Sequence, residues 1–323
     1  MTNRIDIVND PVLTEVYRGY VPQDQDYVRE KFLPKIPVRS SKGDIKEAGT
    51  AFLRIGTNLK MEGKAKTPTI SIDITKANGW NTEERGLQIP ITKKDGQNYD
   101  NTDWRNGQNL AASEFTRMLK IYFLVAKDLG LQQIIQNSAI ITQNITLSGS
   151  SQFNDYNNSD PIGVFQDSRK AIYDSIGREA NTAVMSRNVF AKLTRHPELK
   201  RSHGVTPDGT VPTRALNEIE LAEAMEIDKI IVGRVKHELA REGLPSALSS
   251  VWGDHITFAY VNPNPQPLLI EKSIGYTFEL DPPIIDFRDA DDPKHCKFVR
   301  NVEEYDDVIL DAEAAFLIIN AVE

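Results

Sequence analysis

The sequence predicts a mixed α+β fold, and three stretches carry that prediction. Residues 69–75 read TISIDIT, which sets Ile70, Ile72 and Ile74 on one side of a strand. From about residue 111 to residue 136, Phe115, Met118, Leu119, Tyr122, Val125, Ala126 and Leu129 recur at spacings of three and four, the pattern of a long helix with one buried face. After Asn181, short helical and strand patterns alternate, as they do in an α/β unit.

Residues 1–50 mix Pro11, Pro22, Pro34 and Pro37 with charges, and only pieces such as 12–17 have helical promise, so an extended arm is expected. A second strand is expected at 87–92. Gly79, Asn81 and Gly86 supply turns between it and the first strand, and a polar stretch from Asp95 to Asp103 follows it. The simplest object is a two-stranded ribbon. Such a ribbon is marginal alone, so residues 65–100 are expected to need a neighbour for order and to be dispensable for folding of the body.

The long helix is expected to bury Phe115, Leu119, Tyr122 and Leu129, with a weak point at Gly130. Asp160 and Pro161 read as the N-cap and first residue of a helix that ends at Gly177 and turns Phe165, Ile172 and Ile176 inward. A buried strand at 182–186 and a brief helix at 187–195, closed by Pro197, come next. His203 to Pro212 then reads as an exposed loop. A Glu-rich helix at 216–225 and strands at 229–235 and 252–261 follow, and a closing core strand lies within 314–319.

The 323 residues suffice for a sizeable core. A formal charge of −8 disfavours a dedicated DNA-binding module. Arg117, Lys120 and Lys127 fall near one another on the long helix and read as a solvated face. The single cysteine, Cys296, excludes an intrachain disulfide. No apolar run approaches the roughly 20 residues of a membrane span, and no export signal is visible, so no membrane partner is expected.

Motifs for nucleotide binding, zinc proteolysis, a nucleophile elbow or a CxxC centre are absent. His196, His203, His237, His255 and His295 are scattered. His295 with Cys296 lacks local support as a metal site. Asp286, Asp289, Asp291 and Asp292 lack EF-hand spacing, and Asp155 and Asp160 with Asn154, Asn157 and Asn158 read as solvated turns. No catalytic, cofactor-binding or metal-ligating residue is therefore assigned, and no cofactor is expected. The arm, ribbon and polar loop ask for an intermolecular partner, which favours a self-assembling structural protein over an enzyme.

Several stretches resemble the major capsid proteins of tailed double-stranded DNA phages, which share the HK97-type fold. They are NTAVMSRNVFAKLTRHPELKR (181–201), ALNEIELAEAMEIDKIIVGRVKHE (215–238), SVWGDHITFAYV (250–261), SIGYTFE (273–279) and YDDVILDAEAAFLIINAV (305–322). The resemblance implies an N-terminal arm at 1–54, an E-loop at 55–105, and a peripheral domain with a spine helix at 106–180. It further implies an axial domain at 181–283 and a return to the peripheral domain at 284–323. The implied function is an icosahedral shell of hexamers and pentamers around phage DNA, touched without sequence preference. Scaffolding, portal or decoration proteins are implied as partners, with assembly in the host cytoplasm and final residence in the virion. An encapsulin-like compartment shell is the alternative that resembles the same fold, and a soluble enzyme with a dispersed active site is a more distant one. Some family members link subunits covalently through Lys and Asn. Lys93 and Lys94 lie in the ribbon, but no acceptor matches and no crosslink is expected.

Overall fold

The computed structural model describes residues 10–22, 27–47, 75–204, 214–241, 243–264, 272–289 and 296–323. The chain opens with helix α1 (Pro11–Gly19), helix α2 (Arg29–Phe32) and strands β1 (Lys35–Pro37), β2 (Lys42–Glu47), β3 (Thr75–Asn81) and β4 (Glu83–Ile91). Helices α3 (Lys93–Tyr99) and α4 (Trp104–Ile135) follow, then β5 (Asn144–Thr146), α5 (Pro161–Ile176), β6 (Thr182–Ser186), α6 (Arg187–Leu193), α7 (Pro197–His203) and α8 (Glu218–Ala224). The remainder is strand: β7 (Lys229–Gly233), β8 (Lys236–Glu238), β9 (Leu248–Ser250), β10 (Ile256–Ala259), β11 (Gly275–Asp289), β12 (Lys297–Ile309) and β13 (Ala315–Ile319).

Two sheets organise these elements. One has the order β1-β11-β12-β4, antiparallel apart from the parallel β1–β11 pair. The other has the order β5-β13-β10-β6-β7. The spine helix α4 joins them. At 32 residues it is about 48 Å long. Ala111, Ala112 and Leu119 pack with Leu13, Tyr17, Ile91, Ile285 and Val299 near the first sheet. Leu124, Leu131 and Ile135 enter the larger core that holds α5 and the second sheet.

Local chemistry explains the element ends. Asp160 caps α5 by accepting from the Gly163 N–H, Pro161 occupies the first turn, and Gly177 ends the helix in the left-handed conformation at φ 68°. Phe165, Ile172 and Ile176 are buried, as their spacing requires. Strand β6 is buried along its whole length, and β13 closes the second sheet between β5 and β10.

Several expectations change. Helix α4 begins at Trp104, capped by Asp103, and Lys93–Tyr99 is a helix, because Thr92 and Asp95 form a capping box. Met118 (54% exposed) and Tyr122 (62%) lie outside the packed face of α4, where Thr116, Lys127 and Asp128 are buried instead. Residues 10–22 and 27–47 are packed on the body and not extended as an arm. Helix α1 packs on α4 and β11, Phe32 and Leu33 enter the large core, and β1 pairs with β11.

Strand β4 is held by a strand remote from it in sequence. It pairs with β12, from Lys297↔Ile91 to Tyr305↔Glu83, and so belongs to the body, whereas β3 pairs with β2. The strand expected at Ile70, Ile72 and Ile74 lies outside the described residues, as does most of the loop expected at His203 to Pro212. Pro197 opens α7 instead of only closing α6. Three elements run across the expected divisions. Helix α5 packs on β13 and β10 of the second sheet, β11 passes through 283/284, and β13 joins the second sheet. No helix among the described residues is long and apolar enough to cross a membrane.

Candidate functional site

Among the described residues, the largest concentration of charged side chains in the interior lies where α1, α2, α4 and β12 meet. Helix α4 contributes Lys127 and Asp128, two consecutive ionisable residues within its packed stripe. Strand β12 contributes Asn301, Glu303, Tyr305 and Asp307, which alternate along the strand and so share one face.

Lys127 and Glu303 form an ion pair with side chains 6% and 1% exposed. The Tyr17 hydroxyl donates to Glu303 Oε1 at 2.5 Å, and Asn301 Nδ2 donates to Tyr17 Oη at 2.9 Å and to Glu303 Oε1 at 3.1 Å. Burial pushes the Glu303 carboxyl up. The Lys127 charge and the hydrogen bonds from Lys127, Tyr17 and Asn301 outweigh burial and hold it below the usual carboxylate range. Burial, with Glu303 alongside, pushes the Tyr17 hydroxyl well above the ordinary phenol range, so Tyr17 remains a donor.

A second ion pair lies beside the first. Arg29 grips Asp307 in bidentate fashion, Nη2 to Oδ1 at 2.7 Å and Nε to Oδ2 at 2.8 Å, and Thr277 Oγ1 donates to Asp307 Oδ1 at 2.7 Å. The Tyr305 ring contacts three cations: Arg29 at 4.3 Å, Arg85 at 4.4 Å and Lys127 at 5.0 Å from its centroid. Asp128 accepts from the backbone N–H groups of Val28 (3.1 Å) and Arg29 (3.0 Å) at the start of α2, and from Trp252 Nε1 (3.3 Å). Burial nonetheless raises its carboxyl above the ordinary range.

Each buried cation faces an acidic partner, and the groups are enclosed by protein. This arrangement suits fastening: it ties the N-terminal helices to the spine helix and to the first sheet. The sequence does not show it directly, because Lys127 reads there as part of a solvated face with Arg117 and Lys120. The available signal was period two in NVEEYD, which sets Asn301, Glu303 and Tyr305 on one side of a strand.

Among the described residues, those weighed in the sequence as ligands do not converge. Among the described residues no group of three or more His, Cys, Asp or Glu could hold a metal ion. Asp155 is turned to the backbone N–H of Asn157 and to Asn158, and Asp160 caps α5. His196 is buried against Ser159, His203 lies beside Glu220 and Glu223 of α8, and His255 meets Asn320. His237 stands apart on β8. Asp286 is buried on β11 and Cys296 is buried beside β12, while His295, Asp291 and Asp292 lie outside the described residues. Lys93 sits over the Trp104 ring at 5.4 Å in α3, not in a turn.

No protein-family model matches the chain. The major capsid protein of Burkholderia phage BcepMu is 26% identical over 319 residues, covering 96% of this chain and 95% of that protein. The major capsid protein of Pseudomonas phage JBD67 is also 26% identical, covering 84% and 81%. Among solved structures, a phage-related protein from Bordetella bronchiseptica RB50 superposes with a TM-score of 0.71 at 22% identity over 98% of both chains. The capsid of cyanophage P-SCSP1u superposes with a TM-score of 0.54 at 11% identity, covering 93% of this chain and 90% of the other. The chain thus has the HK97-type fold and is similar, along nearly its whole length, to phage major capsid proteins.

Proposed function

We propose that this chain is the major capsid protein of a phage, a non-catalytic subunit that assembles with copies of itself into a closed icosahedral shell around double-stranded DNA. The observation that carries the reading is similarity that runs from end to end on both sides, 96% of this chain against 95% of a named major capsid protein. A relative sharing only one domain would leave the rest of the chain unexplained. Here the two sheets and the spine helix that bridges them fall within a single match.

In this reading the first sheet and α4 form the peripheral body, and the second sheet with α5 to α8 forms the axial unit. The subunits group as hexamers and pentamers, and scaffolding, portal or decoration proteins are further partners. The product resides in the virion after assembly in the host cytoplasm. The fastening of α1 and α2 supports this reading physically, because a shell subunit must hold one rigid shape while making several different contacts with its neighbours.

Electron microscopy of the purified protein, with nuclease-protection analysis of particles taken from phage-producing cells, tests the reading. Closed shells containing protected DNA are expected. Shells that hold a copurifying enzyme and no genome would assign the chain to cellular compartments instead. A protein that remains monomeric under all assembly conditions, at low copy number in the virion, would overturn the shell assignment.

A further inference from the structure

Two histidines outside the buried clasp grip the same loop, residues 152–160. At its far end Ser159 Oγ donates to the Asp155 carbonyl at 2.6 Å, so toward His196 Nε2, 3.0 Å away, it serves as an acceptor. The His196 ring therefore carries its hydrogen on Nε2. Its Nδ1 is left with a lone pair, to which the Glu198 backbone N–H donates at 3.3 Å. His196 is fully buried, with the Tyr156 ring edge-on to it.

At the near end, His255 Nδ1 accepts the Asn320 backbone N–H at 3.0 Å. The C-terminal residues so held in turn hold the loop. Gln152 Nε2 donates to the Asn320 carbonyl at 3.2 Å, the Phe153 N–H to the Ala321 carbonyl at 2.8 Å, and the Glu323 N–H to Asn154 Oδ1 at 3.3 Å.

In both rings Nδ1 faces a backbone N–H. A second ring proton would put two donors head to head, at His196 in a site shielded from water and at His255 in a half-buried one. We infer that His196 and His255 are paired acid-releasable latches, and that acidification frees residues 152–160 and the C-terminal residues before the rest of the protein unfolds.

Asp160 on the loop acts on His196, with Glu198 flanking it on α7, while Asp155 is turned to Asn157 and Asn158. Asp254 acts on His255 and is itself engaged by Asn188 Nδ2 at 2.8 Å. Burial outweighs these carboxylates and holds both imidazoles below their ordinary range. An imidazole lowered on folding stabilises the fold fully above the unfolded value of about 6.5, and that contribution is lost as pH falls from there through the lower folded value.

Hydrogen exchange read by mass spectrometry on the full chain tests this, at about pH 7.5 and about pH 5 with intrinsic rates corrected. Peptides covering 148–160 and 315–323 are expected to lose protection about tenfold or more at the lower pH, while the β11–β12 ladder keeps its protection. In H196N/H255N an Asn Oδ1 accepts the same N–H without titrating, so protection should hold at both pH values. Equal protection at both pH values in the unaltered chain overturns the inference. So does a loss in the double variant as large as in the unaltered chain, or a loss spread evenly over both sheets. Should the double variant fail to fold, H255N alone serves: its 315–323 peptide must become insensitive to pH, and an unchanged fall there overturns the inference.

Discussion

Lys127 on the spine helix and Glu303 on β12 meet as an ion pair whose side chains are almost completely removed from water. Two charges taken out of water lose much hydration energy, which their mutual attraction only offsets if the remaining valences are filled. Here Tyr17 and Asn301 supply hydrogen bonds to the carboxylate. Removing one partner strands the other, so Lys127→Met is expected to cost about 3–5 kcal/mol in chemical denaturation. The double variant Lys127→Met/Glu303→Leu should recover a large part of that loss. A single variant as stable as the unaltered protein would mean that the pair is not enclosed.

The same carboxylate gives the fold an acid limit. Because Glu303 is held below its unfolded range of about 4.3, the pair's contribution is complete above that value and is lost as pH falls through the lower folded value. Urea midpoints should therefore drop as pH falls below about 4.3, and Glu303→Gln should flatten this part of the profile. The histidine latches act in the higher window near the imidazole range, so two separate acid steps are expected. One merged step shared by all probes would contradict that separation.

What could be read in the sequence is what local rules govern. The Asp160-Pro161 start and Gly177 stop of α5 were legible because capping depends on neighbouring residues, and so was the inward set Phe165, Ile172 and Ile176. The strands at β6 and β13 were legible from short apolar runs. The partner of β4 was not, because β12 lies some 210 positions away and any apolar strand nearby in sequence competes for the assignment. The clasp was hidden for a related reason. Hydrophobic periodicity counts Lys127 and Asp128 as solvent-facing, and only their partners from 28, 29, 252 and 303 make burial affordable.

The spine helix offers a direct check of its orientation. Leu119 is completely buried, whereas Tyr122 is largely exposed, although both fit one apolar stripe on paper. Leu119→Asp should abolish cooperative folding, since it places an unpaired charge in the core that Leu13, Tyr17 and Ile285 share. Tyr122→Asp should change the stability read from the melt by little, within about 0.5 kcal/mol. Its effect, if any, belongs to assembly, and light scattering under assembly conditions reads that separately from the melt.

The ribbon separates folding from assembly at a different place from the one its composition indicates. A Gly-rich replacement across 65–100 would remove β4, which forms an edge of the first sheet along β12, and with it Ile91, a fully buried member of the second core. It would also remove α3, against which the first turn of α4 packs so closely that a Cβ on Gly107 would lie 1.9 Å from the Gly96 carbonyl oxygen. Such a variant is expected to lose its cooperative melt. A replacement confined to 48–74 leaves the described β2–β3 register, which ends at Glu47↔Thr75, and the whole β4–β12 ladder in place. That variant should melt cooperatively with native helix content by circular dichroism. Light scattering then decides what residues 48–74 contribute: a folded subunit that forms no shells makes them assembly elements, and normal shells make them dispensable. Loss of the melt in the 48–74 variant would show instead that the body depends on them.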